Sequence, residues 1–155
     1  MSIEEKLAAM NLRLPPPHRY SKDNRTGCVV VANLAFVSGH MPAAAEGVRI
    51  TGKVTGDMTE AEAYLAARHA GLNMLSSIKQ EIGRLDRVRR VVKVVGAVNA
   101  SPGFNRHFAV IDGASDLFLA LWGPENGKHA RTTFGVFETS GNIAVEIEGI
   151  FELRD

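Results

Sequence analysis

The sequence predicts an α+β protein: a mixed β-sheet with two helices packed on one face, the elements running β-β-α-β-α-β-β after an N-terminal extension over residues 1–25. Three stretches carry that expectation. Thr59 to Ile82 repeats apolar residues at helical spacing and has cap signals at both ends. Val88 to Val98 (VRRVVKVVGAV) is a β-branched run. His129 to Glu152 alternates apolar and polar residues around a central turn signal. A length of 155 residues suits one domain, residues 1–155, with one core.

At the N-terminus, Ser2 and Glu5 have capping-box spacing, and Ile3, Leu7, Met10 and Leu12 suit a short amphipathic helix. Pro15-Pro16-Pro17 ends it and stiffens the connector, and His18 to Arg25 reads as polar loop. Cys28–Val31 and Leu34–Val37 flank Ala32-Asn33 as a hairpin. Ser38-Gly39-His40-Met41-Pro42 closes the second strand with a sharp exit. Pro42 to Gly56 is loop, with room for a short strand over Val48–Ile50. In the long helix, Thr59 and Glu62 form a second capping box, and Gly83 sits at the C-cap position. His69 and Asn73 lie four apart on it, without the further ligands a metal needs. Asn99 to Arg106 is loop. Asp112 or Ser115 is expected to cap the next helix, which runs through Leu117 to Trp122 and stops at Gly123-Pro124. The following loop, Gly123 to Lys128, lacks phosphate-loop spacing.

Composition narrows the function classes. A net charge of +1 does not point to nucleic acid or a membrane surface. Arg89, Arg90 and Lys93 interleave with valines but not with aromatics, which favours a solvated strand edge over an RNA groove. One cysteine, Cys28, allows no intramolecular disulfide and no thiolate cluster, and its valine neighbours suggest a small buried hydrophobe. With no recognisable signal peptide or long apolar run, the expected location is the cytoplasm.

The terminal stretch carries the chemistry. Its strands are expected to form a hairpin joined by Thr139-Ser140-Gly141-Asn142. Arg131 and Thr133 would then share one sheet surface with Glu146 and Glu148, opposite an apolar face of Ile143, Val145, Ile147 and Phe151. Two readings of Arg131 stand side by side. Its planar fork suits a carboxylate, each charge-assisted bond contributing about 1.5–3 kcal/mol. A cross-strand pair with Glu148 would contribute about 0.2–1 kcal/mol. Glu146 could order a water and accept its proton, or could simply be a solvated strand carboxylate, and Glu148 competes for the same role. No Ser/His/Asp order or metal-ligand spacing assigns a role to His18, His40, His107 or His129.

Arg131, Thr133 and Glu146 in a V-E-I-E strand resemble the C-terminal signature of the Rid (YjgF) family of reactive-intermediate deaminases. The resemblance extends through Leu34 to Pro42, Ala66-Ala67-Arg68 with Leu72-Asn73-Met74-Leu75, Gly83 to Val88 into Val91-Val92-Lys93, and His129 to Ile150. Asp112 to Leu117 and Gly127 to Arg131 look like a subgroup with an extended N-terminus. The resemblance implies a chorismate-mutase-like fold and a homotrimer with clefts between subunits. It also implies that Arg131 grips a substrate carboxylate, that Glu146 holds the attacking water, and that Ser38 and Gly39 line the cleft. Asp112 is the nearest match to an acidic or amide residue arriving from the neighbouring chain. Two positions depart from the pattern: Thr133 replaces a cysteine, and Arg25 falls where the cleft tyrosine is expected, with Tyr20 as the alternative.

The implied activity is hydrolysis of 2-imino or 2-enamino acids to 2-keto acids and ammonia, with no metal or other cofactor. The alternative is a non-catalytic trimer that binds a small carboxylate metabolite. A third option, endoribonuclease, lacks a basic aromatic groove or an obvious acid–base histidine pair.

Overall fold

The computed structural model describes residues 1–154. In chain order the elements are α1 (Ile3–Ala9), β1 (Cys28–Val31), β2 (Leu34–His40), α2 (Glu60–Ile82), β3 (Val88–Asn99), α3 (His107–Asn126), β4 (Ala130–Val136) and β5 (Val145–Leu153), with 3-10 turns at Leu85–Arg87 and Ser140–Asn142. This is the α+β order expected. Both N-terminal capping boxes form, Ser2 with Glu5 on α1 and Thr59 with Glu62 on α2, and Gly83 takes the positive-φ C-cap at φ 86°.

The five strands are ordered β1-β2-β5-β3-β4, and only β3 and β4 pair in parallel. α3 is the crossover that parallel pairing requires. The order corrects the expected terminal hairpin. β4 and β5 are not neighbours, because β3 lies between them. The turn around Ser140–Asn142 crosses the end of β3 instead of closing a ladder, and Asn99 N–H donates to Ala144 O there at 2.9 Å. β3 is therefore an interior strand, not the edge strand its basic residues suggested. Arg89 and Arg90 still reach its surface, Arg89 pairing with Glu152 at 3.3 Å.

Cross-strand partners fix which side chains share a face. Cys28, Val37, Gly149, Val94 and Arg131 form one row across all five strands. Cys28, Val37 and Val94 in that row are buried, and a side chain at Gly149 would meet Met74 of α2, so this face lies under the helices. Thr132, Val95 and Glu148 form a row on the opposite, open face, as do Phe134, Ala97 and Glu146. Arg131 and Thr133 thus lie on the helix side of the sheet, and Glu146 and Glu148 on the other.

α3 begins at His107, five residues before the expected cap at Asp112, and Arg106 provides no side-chain cap. Tertiary packing sets that start: the His107 ring fills the space over Gly135, within 2.4 Å of where a Cβ would stand. Gly123, at φ 73° and ψ 176°, breaks the helix, and Pro124 starts a further turn. α1 joins the main core through Ile3 and Leu7. Cys28 is buried, and burial together with the Glu81 charge pushes its thiol up to about 11.

α2 and α3 cross closely at Gly113, where a Cβ would stand 2.0 Å from Tyr64 O. Backbone cannot yield there as a flexible side chain can. Gly113→Ala is expected to destabilise the protein by about 3 kcal/mol, at the upper end for overpacking. Urea denaturation measures it, and a midpoint equal to wild type would show that the two helices can slide apart.

Candidate functional site

The expected site residues fall into two clusters on opposite faces of the sheet. The first surrounds Arg131 on edge strand β4. Its Nη1 donates to Asp112 Oδ1 at 2.6 Å and to Ser115 Oγ at 3.0 Å, both on α3. The Arg131 side chain is 22% exposed and that of Asp112 is 42% exposed. Asp112, expected to reach a neighbouring chain, here holds the arginine of its own chain. The Arg131–Glu148 pair does not form, since the two residues lie on opposite faces. Thr133 is half-buried on the same face as Arg131, in the row with Gly96 and Ile147.

Sequence reasoning missed two members of this cluster, Ser115 as a polar partner and His129. Ser115 Oγ lies 3.0 Å from His129 Nε2, and His129 Nδ1 lies 2.7 Å from Gly127 O. A carbonyl can only accept, so Nδ1 carries the proton. Nε2 of the neutral ring then accepts from the Ser115 hydroxyl, which in turn accepts from Arg131. Burial holds the His129 pKa below the ordinary histidine range. The bond to Gly127 O opposes this, and the Arg131 charge adds to it. Ser115, Asp116, Leu119, Lys128, His129 and Arg131 line a cavity of about 310 Å³.

The second cluster lies at the end of β2. The β2–β5 register shifts between Val37 and His40, a bulge that brings Gly39 close to Glu146. A Cβ at Gly39 would stand 3.0 Å from the Glu146 carboxyl. Ser38 Oγ donates to Thr26 O at 2.6 Å. Beneath them, His40 is buried. Its Nδ1 donates to Ser38 O at 2.6 Å, leaving Nε2 to accept from Ser77 Oγ at 2.7 Å. Burial lowers its pKa, Ser38 O opposes this, and the His18 charge adds to the lowering. A trans peptide carries C=O and N–H in opposite directions, so His40 also aims the Gly39 N–H.

Arg25 lies beside this cluster without entering it. It donates to Asn24 Oδ1 at 2.9 Å and stacks over the Tyr20 ring at 4.9 Å. Tyr20 packs edge-on to His18, 4.7 Å between ring centres, and its buried Oη has no partner among the described residues. Among those residues no three His, Cys, Asp or Glu side chains are placed to hold a metal ion, and no helix is long and apolar enough to cross a membrane.

An α+β sheet with helices on one face and the SGH, HAR and VEIE segments at these positions defines a protein of the YjgF type. The family described as "YjgF/chorismate mutase-like, putative endoribonuclease" matches residues 4–142, and the chain belongs to it. It is 40% identical over 119 residues to Protein TCP17 of Trypanosoma cruzi, covering 77% of this chain and 74% of that one. The crystal structure of Atu1372, a protein of unknown function from Agrobacterium tumefaciens, is similar at 34% identity and TM-score 0.88, covering 99% of this chain and 94% of that one. A "putative endoribonuclease" from Shewanella oneidensis MR-1 is similar at 29% identity and TM-score 0.91, covering 99% and 100%.

The depressed histidines give a pH prediction. His40, His69 and His129 all have folded-state pKa values below the usual value near 6.5. The unfolded chain therefore binds these protons first as the pH falls. Their contribution to stability is complete above about pH 6.5 and is lost as the pH drops toward the folded pKa values. The urea midpoint should be lower at pH 5.5 than at pH 7.5. An equal or higher midpoint at pH 5.5 would count against neutral, buried rings.

Proposed function

We propose that the protein hydrolyses 2-imino and 2-enamino acids to 2-keto acids and ammonia, without a cofactor, in a cleft that two copies of the chain build together. The observation that carries this reading is the pair of separated half-sites. Arg131 offers a carboxylate grip on the helix side of β4, and Glu146 stands beside Gly39 on the open face, with β3 between their strands. Within one chain they do not face one pocket. Set against a neighbour, the β4 edge of one copy can meet the β2–β5 surface of the next. The open face supports self-association: Val31 is 59% exposed, Phe36 43% and Phe134 43%. Around Phe36, Lys93, Val95, Glu148 and Ile150 lies a hollow of about 330 Å³. A closed homotrimer with the sheets inward would cover this face.

The chemistry then follows from the groups present. Arg131 fixes the carboxylate of the imino acid. A water held by Glu146 attacks the C=N carbon and gives its proton to the carboxylate. The carboxyl returns that proton to the nitrogen, and as the C–N bond breaks the carbinolamine hydroxyl gives up its own, so that the keto acid and ammonia leave. The imine carbon is already electrophilic, so acid–base positioning worth about 10²–10⁴ in rate is enough.

2-Aminoacrylate or 2-iminobutanoate, generated enzymatically, should decay faster with the protein than in buffer, and Arg131→Ala or Glu146→Gln should each remove the gain. Mixed trimers of the two inactive variants should recover activity in about a quarter of their clefts, since each cleft draws its arginine and glutamate from different chains. Decay at the buffer rate with wild type would overturn the reaction. No recovery on mixing would overturn the shared cleft. Light scattering should give the mass of a trimer at micromolar concentration.

A second reading, a carboxylate-binding protein without turnover, is favoured by one observation: Asp112 already occupies part of the Arg131 fork. Thermal stabilisation by 2-keto acids with no imine hydrolysis would select it. The family's description as an endoribonuclease finds less support. Lys93 on the open face pairs with Ile150, between Glu148 and Glu152 on β5, and RNA should survive prolonged incubation with purified protein.

A further inference from the structure

Arg131 does not meet its cavity alone. One of its terminal nitrogens, Nη1, is held twice, by Asp112 Oδ1 and by Ser115 Oγ. Nε and Nη2 make no hydrogen bond among the described residues. The two bonds at Nη1 pin one corner of a planar group and leave its opposite edge available. Two parallel N–H groups on that edge match a carboxylate.

The Ser115 bond needs a hydroxyl that points away from Arg131. A serine oxygen can donate once, and its proton rotates to suit its neighbours. Here a second residue sets the direction. Gly127 O takes the Nδ1 proton of His129, and Nε2 becomes the acceptor that draws the Ser115 proton to itself. The Ser115 lone pairs are then turned toward the guanidinium. The order Gly127 O, His129, Ser115, Arg131 is a chain of donors and acceptors running in one direction. All its side chains line the 310 Å³ cavity, with Leu119 as an apolar wall.

We infer that Ser115 and His129 are positioning residues for carboxylate binding by Arg131, with the His129 tautomer fixing the Ser115 hydroxyl so that Arg131 presents its Nε–Nη2 edge to the ligand. This rests on the carboxylate role proposed for Arg131 and extends it to a directed relay. The burial of His129, which holds it neutral, keeps that direction at physiological pH. Asp116, Lys128 and Arg131 are the charged groups that share its cavity, and Asp112 is bound to Arg131.

Two measurements on the full-length protein test it. In the ligand-free state, nitrogen NMR of the imidazoles should show His129 as the Nδ1–H tautomer, with an Nε2 shift that moves on Ser115→Ala. The Arg131 guanidinium should rotate slowly in wild type and faster in that variant. Calorimetric titration with pyruvate is the second. Ser115→Ala and His129→Gln should each weaken binding on the order of tenfold, as loss of a bond to a charged group would. Ser115→Thr, which keeps the hydroxyl, should restore it. An Nε2–H tautomer, or pyruvate affinity lost in Arg131→Lys but unchanged in Ser115→Ala, overturns the relay alone. Arg131→Lys binding pyruvate as tightly as wild type overturns the carboxylate role of Arg131 itself.

Discussion

The structure depends on β5 being hydrogen-bonded along both edges. Its residues alternate with little interruption: Val145, Ile147, Phe151 and Leu153 are buried, while Glu146 and Glu148 are exposed. A slip of one residue would drive the glutamates under α2 and bring the apolar set into water, so the register is strongly specified. From that register the rest follows. Gly149 falls in line with Val94 and Arg131, leaving room for Met74 above it. Glu146 falls beside the bulge in β2 at Gly39. β4, excluded from β5 by β3, becomes an edge strand and carries Arg131 to the flank of α3.

Local chemistry made much of this legible in the sequence. Two capping boxes, a positive-φ glycine and an alanine-rich helical period located α1 and α2, because those signals are satisfied within a few residues. The β1–β2 hairpin and the alternation of β5 were equally plain. What alternation cannot reveal is which strand lies alongside. The faces of β4 were divided correctly into two sets, but which set met the helices depended on pairing with β3, a contact across the whole of α3. The start of α3 was misplaced for a related reason: Asp112 has the composition of a cap, while the real start is set by His107 packing over Gly135, far away in sequence. Ser115 and His129 are joined only by the fold, and each taken alone is an ordinary helix serine and loop histidine.

The separation of Arg131 from Glu146 and Glu148 has an electrostatic meaning. Placed in a terminal hairpin, Arg131 and Glu148 would face each other and neutralise one another at short range. The β3 strand keeps the cation and the carboxylates on different surfaces. Arg131 is instead balanced by Asp112, an exposed partner on a separate element, and Glu146 has backbone and glycine around it. In the reaction proposed above, a ligand carboxylate would approach the arginine without first displacing Glu146.

The burial of Cys28 bears on what the molecule can tolerate. At neutral pH a thiol with a pKa of about 11 is ionised in only about one molecule in ten thousand, and the thiolate is the form that attacks carbon or sulfur. Cys28 is the sole cysteine in the chain. Electrophiles reaching the protein thus find no exposed thiol, and peroxide finds little thiolate to oxidise. Its surface offers no thiol to the compounds that most readily poison cysteine-bearing proteins.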